Sequence, residues 1–392
     1  MHRFRGLWVL GFVSMVTYAC SSDSGDGGTG GAGGGGGCSA QIPQNAEFCE
    51  GSCLGEPTCT APGKPVNSCC VPVGEPGRST SNPFLKRTTD TKDFSDPTGA
   101  APNLDCFDPS GYPPAPPADG DKQLVSLKGV IKTFANGGCT PADLIGSSAV
   151  NVEVYRVQRT GDPATDGALG ALVGSAVVAN DSMPIVEEEV NNCKGDPRLN
   201  REYEYPSVPM YTELVVKSYG NGWSPLYAYN LYISAADPDY DDASKSYKYD
   251  VRALGSDDFN TIPTLAIGTT ISAGNGAIGG EVHDCNNIRL QFARVDISVP
   301  RKGLVYFNDD QDDPRPDVNR NDIGTGRTAL YSALDIKVDD AAGTYARVAG
   351  AGMVPGDGGA KVLKSLGYFD VRVFPNSVTS ITLRGLRPFQ VP

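Results

Sequence analysis

Apolar and polar residues alternate over short stretches through most of this chain, and apolar residues seldom recur at helical spacing. Residues 124–134 read LVSLKGVIKTF, which places Val125, Leu127, Gly129 and Ile131 on one face of a strand. Residues 149–155 (AVNVEVY) alternate with strict period two. Residues 212–219 form a further strand, and Gly220-Asn221-Gly222 turns it back into residues 226–233, with glycine where positive φ costs little. A similar order returns later. Residues 277–283 (AIGGEVH) echo 127–132 (LKGVIK), Cys285 falls where Cys139 fell, and 294–299 (RVDISV) echo 150–154. Residues 370–374, the turn Pro375-Asn376-Ser377 and residues 381–383 echo the closing hairpin. Between the two halves, Ser256-Asp257-Asp258-Phe259 can open one short helical turn. The expectation is an all-β fold, and 48 glycines and 30 prolines agree with it.

The first twenty residues break the alternation. Arg3 and Arg5 precede an apolar run over residues 7–16, and Ala19 leads into Cys20. This is the layout of a secretory signal, and the run is shorter than the roughly 20 residues that a spanning helix needs. It resembles the bacterial lipoprotein signal, with Ala19 as the small residue before the cysteine and Thr17 where leucine is usual. The resemblance implies that residues 1–19 are removed and that Cys20 carries lipid, so that the membrane is reached through this anchor. Ser21 stands where some bacteria place the aspartate that retains lipoproteins at the inner membrane. An outer-membrane location follows as the expectation, with the body facing the periplasm or the exterior. Residues 21–37 contain only Ser, Gly, Asp, Thr and Ala, so residues 20–37 read as a lipidated cysteine on a flexible tether.

The cysteines point to the same oxidising compartment. There are eleven, and setting Cys20 aside leaves ten for disulfides: Cys38, Cys49, Cys53, Cys59, Cys69, Cys70, Cys106, Cys139, Cys193 and Cys285. The first six crowd into residues 38–70, where aliphatic residues are so few that shape must come from staples. A zinc site there would want regularly spaced CxxC pairs or histidines, and neither is present. Residues 71–123 read as a Pro/Gly-rich linker, with a polyproline II spacer over 111–118. Cys106 interrupts it and pins it to the folded body through Cys139, Cys193 or Cys285.

Gly129 and Ile131 in the first half, and Gly280 and Val282 in the second, open strands that lead to a polar turn, a V-x-V-type strand and a late hairpin. Gly343-Thr344-Tyr345 precedes a strand over 346–349. This pattern resembles the carboxypeptidase regulatory-like, or prealbumin-like, domain. The resemblance implies two tandem seven-stranded β-sandwiches, over residues 124–250 and 265–392, with 251–264 as connector. It also implies a non-catalytic accessory role. The whole layout resembles surface lipoproteins of myxobacterial type. That implies a structural, adhesive or partner-binding envelope component, with protein or polysaccharide partners.

Charge and candidate chemistry narrow this picture. The net charge of −13 becomes −15 once Arg3 and Arg5 leave with the signal, which argues against nucleic-acid binding. His2 leaves as well, so His283 is the one histidine on which a catalytic triad could be built. No serine stands in a nucleophile elbow and no carboxylate pair is singled out, so the expectation is not an enzyme; His283, beside Asp284 and Cys285, reads as a turn residue. The densest candidate site is the loop with Asp309, Asp310, Asp312, Asp313, Asp317, Asn319, Asn321 and Asp322. Its oxygen ligands would suit calcium, the only cofactor in view. Asp322 replaces the glycine of a strict EF-hand and Thr328 its last ligand, so a solvated acidic loop is the simpler reading. A second acidic loop covers residues 237–242. Trp223, Tyr227 and Tyr229 could form a sugar-stacking platform, against the plainer reading that they fill the sandwich core. The alternative function is therefore a carbohydrate- or calcium-binding module at the cell surface.

Overall fold

A computed structural model of the protein describes residues 83–90, 94–107, 123–134, 149–160, 162, 164–180, 182–188, 198–311 and 313–385. Residues 1–37, where a signal and a tether are expected, the 38–70 segment with its six cysteines, Cys139 and Cys193 lie outside the described residues. Apart from one α-helix and short 3-10 turns, the regular elements among the described residues are strands.

The first strand, β1 (Lys86–Arg87), belongs with the second half and is placed below. The first half comprises β2 (Leu124–Phe134), β3 (Val150–Val157), β4 (Leu169–Leu172), β5 (Val177–Ala179), β6 (Ile185–Glu188) and β7 (Arg198–Pro209). It continues with β8 (Leu214–Gly220), β9 (Trp223–Leu231), β10 (Tyr240–Asp241), β11 (Ser246–Lys248) and β12 (Val251–Gly255). Strand β2 pairs antiparallel with β7 on one edge and parallel with β11 and β12 on the other. The second layer is antiparallel: β3 pairs with β8, and β8 returns as β9 through the glycine turn expected from sequence. Strand β3 buries Val150, Val152 and Val154, and β2 buries Val125, Leu127 and Ile131. These two period-two rows meet Tyr205 and Val216 in one core.

The second half comprises α1 (Ser256–Ile267), β13 (Gly276–Glu281), β14 (Leu290–Gln291), β15 (Arg294–Ile297), β16 (Gly303–Tyr306) and β17 (Leu330–Ile336). It ends with β18 (Thr344–Pro355), β19 (Lys361–Val373) and β20 (Val378–Ser380). The helix exceeds the single turn expected: it runs for 12 residues and stops at Gly268, which takes φ 74 in the left-handed region. Strands β15, β18 and β19 form one antiparallel layer, and β20, β13, β17 and β16 the other. Ile278, Val295, Tyr331, Val348 and Phe369 fill the core between them.

The second closing hairpin is a correction. Strand β19 pairs with β18 and not with β20. The turn after β19 carries the chain into the other layer, where β20 lies parallel between β9 and β13. Both edges of β20 are thus taken by strands of different halves, and one sheet continues from the first half into the second.

The stretch read as linker also differs from expectation where it is described. Strand β1 pairs with β14, and Leu85 and Phe107 enter the second-half core. Cys106 forms its disulfide with Cys285, one of the three partners considered. Arg87 bonds Asp284 at 2.6 Å and Asp96 at 2.7 Å. Only a few apolar residues do this anchoring, without periodicity, so Pro/Gly content dominates the sequence signal.

A buried charge network ties the two halves together. Arg159 grips the Glu213 carboxylate with two nitrogens, reaches Asp166 at 3.2 Å and donates to the Asp370 carbonyl at 2.8 Å. Arg347 binds the Asp370 carboxylate at 2.6 and 2.8 Å. Arg372 donates to the carbonyls of Asp166 and Gly343, each at 3.0 Å.

Candidate functional site

The continuous sheet positions a cavity. Its register stacks residues from β9, β20, β13 and β17 in rows across the strands. Leu226, Val378 and Ala277 are direct neighbours in one row. The next row is Ala228, Ser380, Gly279 and Ser332, and beyond it Glu281 lies opposite Leu330. The apolar row is capped by α1, where Ile262 packs with Ile271, Ala277, Phe307 and Leu334. The middle row carries no side chain larger than serine. Together the helix and this low floor leave a cavity of about 610 Å³, inside the roughly 300–1,000 Å³ range of small-molecule sites.

The cavity is mainly apolar at the α1 end, where Asp258 is the charged lining residue, and polar at the other. Asn230, Thr382, Arg384 and His283 line the polar end, and Lys132, Asp250 and Arg252 come from the first half. Asn230 takes φ 68, rare for a residue with a side chain, and its amide donates to the Thr382 carbonyl at 2.9 Å.

Glu281 anchors a buried cluster on this wall. Its carboxylate accepts from Arg289 Nε at 2.8 Å and from a second Arg289 nitrogen at 2.9 Å. His283 Nε2 lies 2.7 Å from the same carboxylate and Nδ1 lies 2.8 Å from the Asn287 side-chain oxygen. Burial acts to raise the Glu281 carboxyl, but the Arg289 charge and the hydrogen bonds from His283 and Arg289 outweigh it and hold it well below the usual range. Both oxygens of Glu281 are thus engaged by neighbouring residues. Burial pushes the Tyr249 hydroxyl up to about 12 although Arg384 and Arg252 pull the other way, so both guanidinium groups act on this part of the wall. Asp239 is raised by burial and by Asp237, against Lys248 and Arg384.

The residues singled out from sequence lie elsewhere or play other parts. His283 is not in the turn: it forms a β-bridge with Arg289 just before it, is 2% exposed and borders the cavity. Trp223 lies in the first-half core, and Tyr229 is buried with its hydroxyl donating to the Gly167 carbonyl at 2.7 Å. Tyr227 stacks on Phe374 with ring centroids 4.2 Å apart. These three rings therefore present no common exposed face. In the acidic loop, Asp309 pairs with Arg320 at 2.6 Å, and Asp313 pairs with Arg315 at 2.7 Å. Asp317 caps the short turn through Asn319, Asp310 accepts from the Asp313 backbone, and the Asp322 carbonyl accepts from Arg294. Asn321 closes that turn, and Asp312 lies outside the described residues. Among the described residues, no group of three or more His, Cys, Asp or Glu is placed to hold a metal ion.

Sequence reasoning missed Arg252, Arg384, Glu281 and the small middle row. A signal was there in small residues at alternate positions (Ala277 and Gly279) followed by the carboxylate of Glu281, but only strand register shows that four strands contribute to one row. Comparison of the chain with protein-family models and with characterised protein sequences gives no match.

Proposed function

We propose that this is a non-catalytic, lipid-anchored component of a bacterial cell envelope, and that its folded body binds a partner molecule in the sheet-face cavity. The observation that carries the reading is the cavity itself, floored by Ala228, Ser380, Gly279 and Ser332, with an apolar end and a polar end. Glu281, His283, Arg289 and Asn230 on its wall are held by hydrogen bonds within the protein, so that part of the site is preformed. The Cys106–Cys285 disulfide fits an oxidising compartment. The signal-like start and glycine tether supply the membrane attachment in this reading.

The two halves are further read as tandem prealbumin-like sandwiches. The matching glycines support this. A Cβ on Gly129 would meet the Tyr249 carbonyl oxygen at 2.2 Å, and a Cβ on Gly280 would meet that of Ile381 at 1.8 Å. At equivalent places in the two copies, a carbonyl from a following segment crosses where only glycine leaves room.

The test is the intact mass of the protein purified from its native membrane, non-reduced and then reduced and alkylated. The expected result is an acylated chain starting at Cys20, whose remaining ten thiols appear only on reduction. A mass without lipid, or free thiols before reduction, would contradict the anchored reading.

A further inference from the structure

Resting on the binding reading above, the geometry points to an organic anion with an apolar body, of the fatty-carboxylate type, as the ligand of the cavity. The hydrocarbon takes the apolar end under α1 and the anionic head faces Arg252 and Arg384.

The charges around the cavity carry the argument. Glu281 is matched by Arg289 at 2.8 Å, and Asp250 by Lys132 at 3.3 Å. Arg252 and Arg384 also border the cavity, and neither has a carboxylate within ion-pair distance among the described residues. One Arg384 nitrogen donates to the Asn230 carbonyl at 3.2 Å, while its Nε is buried without an acceptor. A guanidinium that borders a cavity without a counter-charge fits a carboxylate or phosphate there. Asp239 is within electrostatic reach of Arg384 and Lys248 but forms an ion pair with neither. The lining carries five Lys and Arg (Lys132, Lys248, Arg252, Arg289, Arg384) against four Asp and Glu (Asp239, Asp250, Asp258, Glu281). On a chain of net charge −13 this wall is thus locally cationic, which favours an anion there.

The other end selects the body of the ligand. Leu226, Leu254, Phe259, Ile271 and Val378 line the cavity beside α1 and offer no hydrogen-bonding side chain, and Asp258 at the start of the helix is the one carboxylate at this end. A sugar would leave hydroxyl groups unpaired against these residues, whereas an alkyl chain loses nothing by contact with them. The small middle row gives a continuous passage from this end to the two arginines.

The experiment is equilibrium dialysis of radiolabelled decanoate against the full chain in lipid nanodiscs, with empty nanodiscs as background. Decanol serves as the neutral counterpart and inorganic phosphate as the bare anion. The expected result is saturable decanoate binding, with decanol and phosphate each at least about tenfold weaker, since a charge-assisted pair and an apolar contact are both required. Arg252→Gln with Arg384→Gln should weaken decanoate at least about tenfold and leave decanol unchanged. Gly279→Val should abolish both, because a Cβ there meets only ordinary contacts, the nearest at 3.5 Å, and the added methyl groups fill the passage. Circular dichroism checks that each variant folds, and the wild-type comparison of decanoate with decanol decides the question if one does not. Absence of saturable decanoate binding, equal affinity for decanol, or a double variant that binds like wild type would overturn the assignment. If decanoate fails while another non-covalent ligand is found and is lost in Gly279→Val, the ligand class falls but the binding site stands.

Discussion

Asp370→Asn tests how firmly the buried charge network holds the two halves. The carboxylate is 7% exposed, and Arg347, 6% exposed, donates to it twice at 2.6 and 2.8 Å. The substitution keeps volume, so no cavity forms, but it leaves the Arg347 guanidinium buried without its counter-charge. Two hydrogen bonds to a charged group are worth roughly 1.5–3 kcal/mol each, and breaking one side of a buried pair costs about 3–5 kcal/mol, so a loss of about 3–5 kcal/mol is expected. Stacking of Arg347 over the Tyr368 ring, 3.7 Å from its centroid, keeps the arginine in place and does not replace the lost charge. Urea unfolding followed by far-UV circular dichroism measures the loss. Fluorescence of Trp223, buried in the first-half core, shows whether it is felt across the network. Replacing both partners, with Arg347→Met and Asp370→Leu, should destabilise less than Asp370→Asn alone, because no buried charge is then orphaned. A loss below about 1 kcal/mol for Asp370→Asn, or a double variant worse than the single, would refute the reasoning.

Three further outcomes are expected. Gly280→Ala should cost roughly 1–3 kcal/mol or prevent folding, because its Cβ would overlap the Ile381 carbonyl at 1.8 Å. The neighbouring Gly279→Ala should be tolerated, and thermal melting of the two variants checks the contrast. Removing the Cys106–Cys285 disulfide by a double alanine substitution should cost about 2–5 kcal/mol, given the 179-residue separation that it closes, as read by urea unfolding. Glu281 is held below its ordinary 4.5 in the folded protein, so its contribution is present above that pH and fades as pH falls, when the unfolded chain takes up the proton first. The stability difference between wild type and Glu281→Gln should therefore narrow below about pH 4.5, and a difference that stays constant or widens on acidification would contradict this.

The strand content was legible because half-buried strands impose period two. The 124–134 and 149–155 patterns coincide closely with β2 and β3, and Gly220-Asn221-Gly222 does turn β8 into β9. The path of β20 was not legible, because a three-residue strand has no periodicity and its two parallel neighbours come from distant parts of the chain. Tyr227 and Tyr229 could be read in sequence as core or, less simply, as a stacking face, and the packing on Phe374 and the bond to Gly167 agree with the core reading. The cavity floor is the least legible feature. Ala228, Gly279, Ser332 and Ser380 are unremarkable singly, and they matter because register sets them side by side. Arg252 and Arg384 likewise carry no local motif, and they stand out because neither has a carboxylate within ion-pair distance among the described residues.

The most direct measurement is native mass spectrometry of the protein released gently from its own membrane, for wild type and Gly279→Val. Wild type should carry a non-covalent organic anion that is lost on denaturation, and Gly279→Val should fold yet arrive without it. A bare wild-type mass, or the same bound species on both proteins, would contradict the cavity as the binding site.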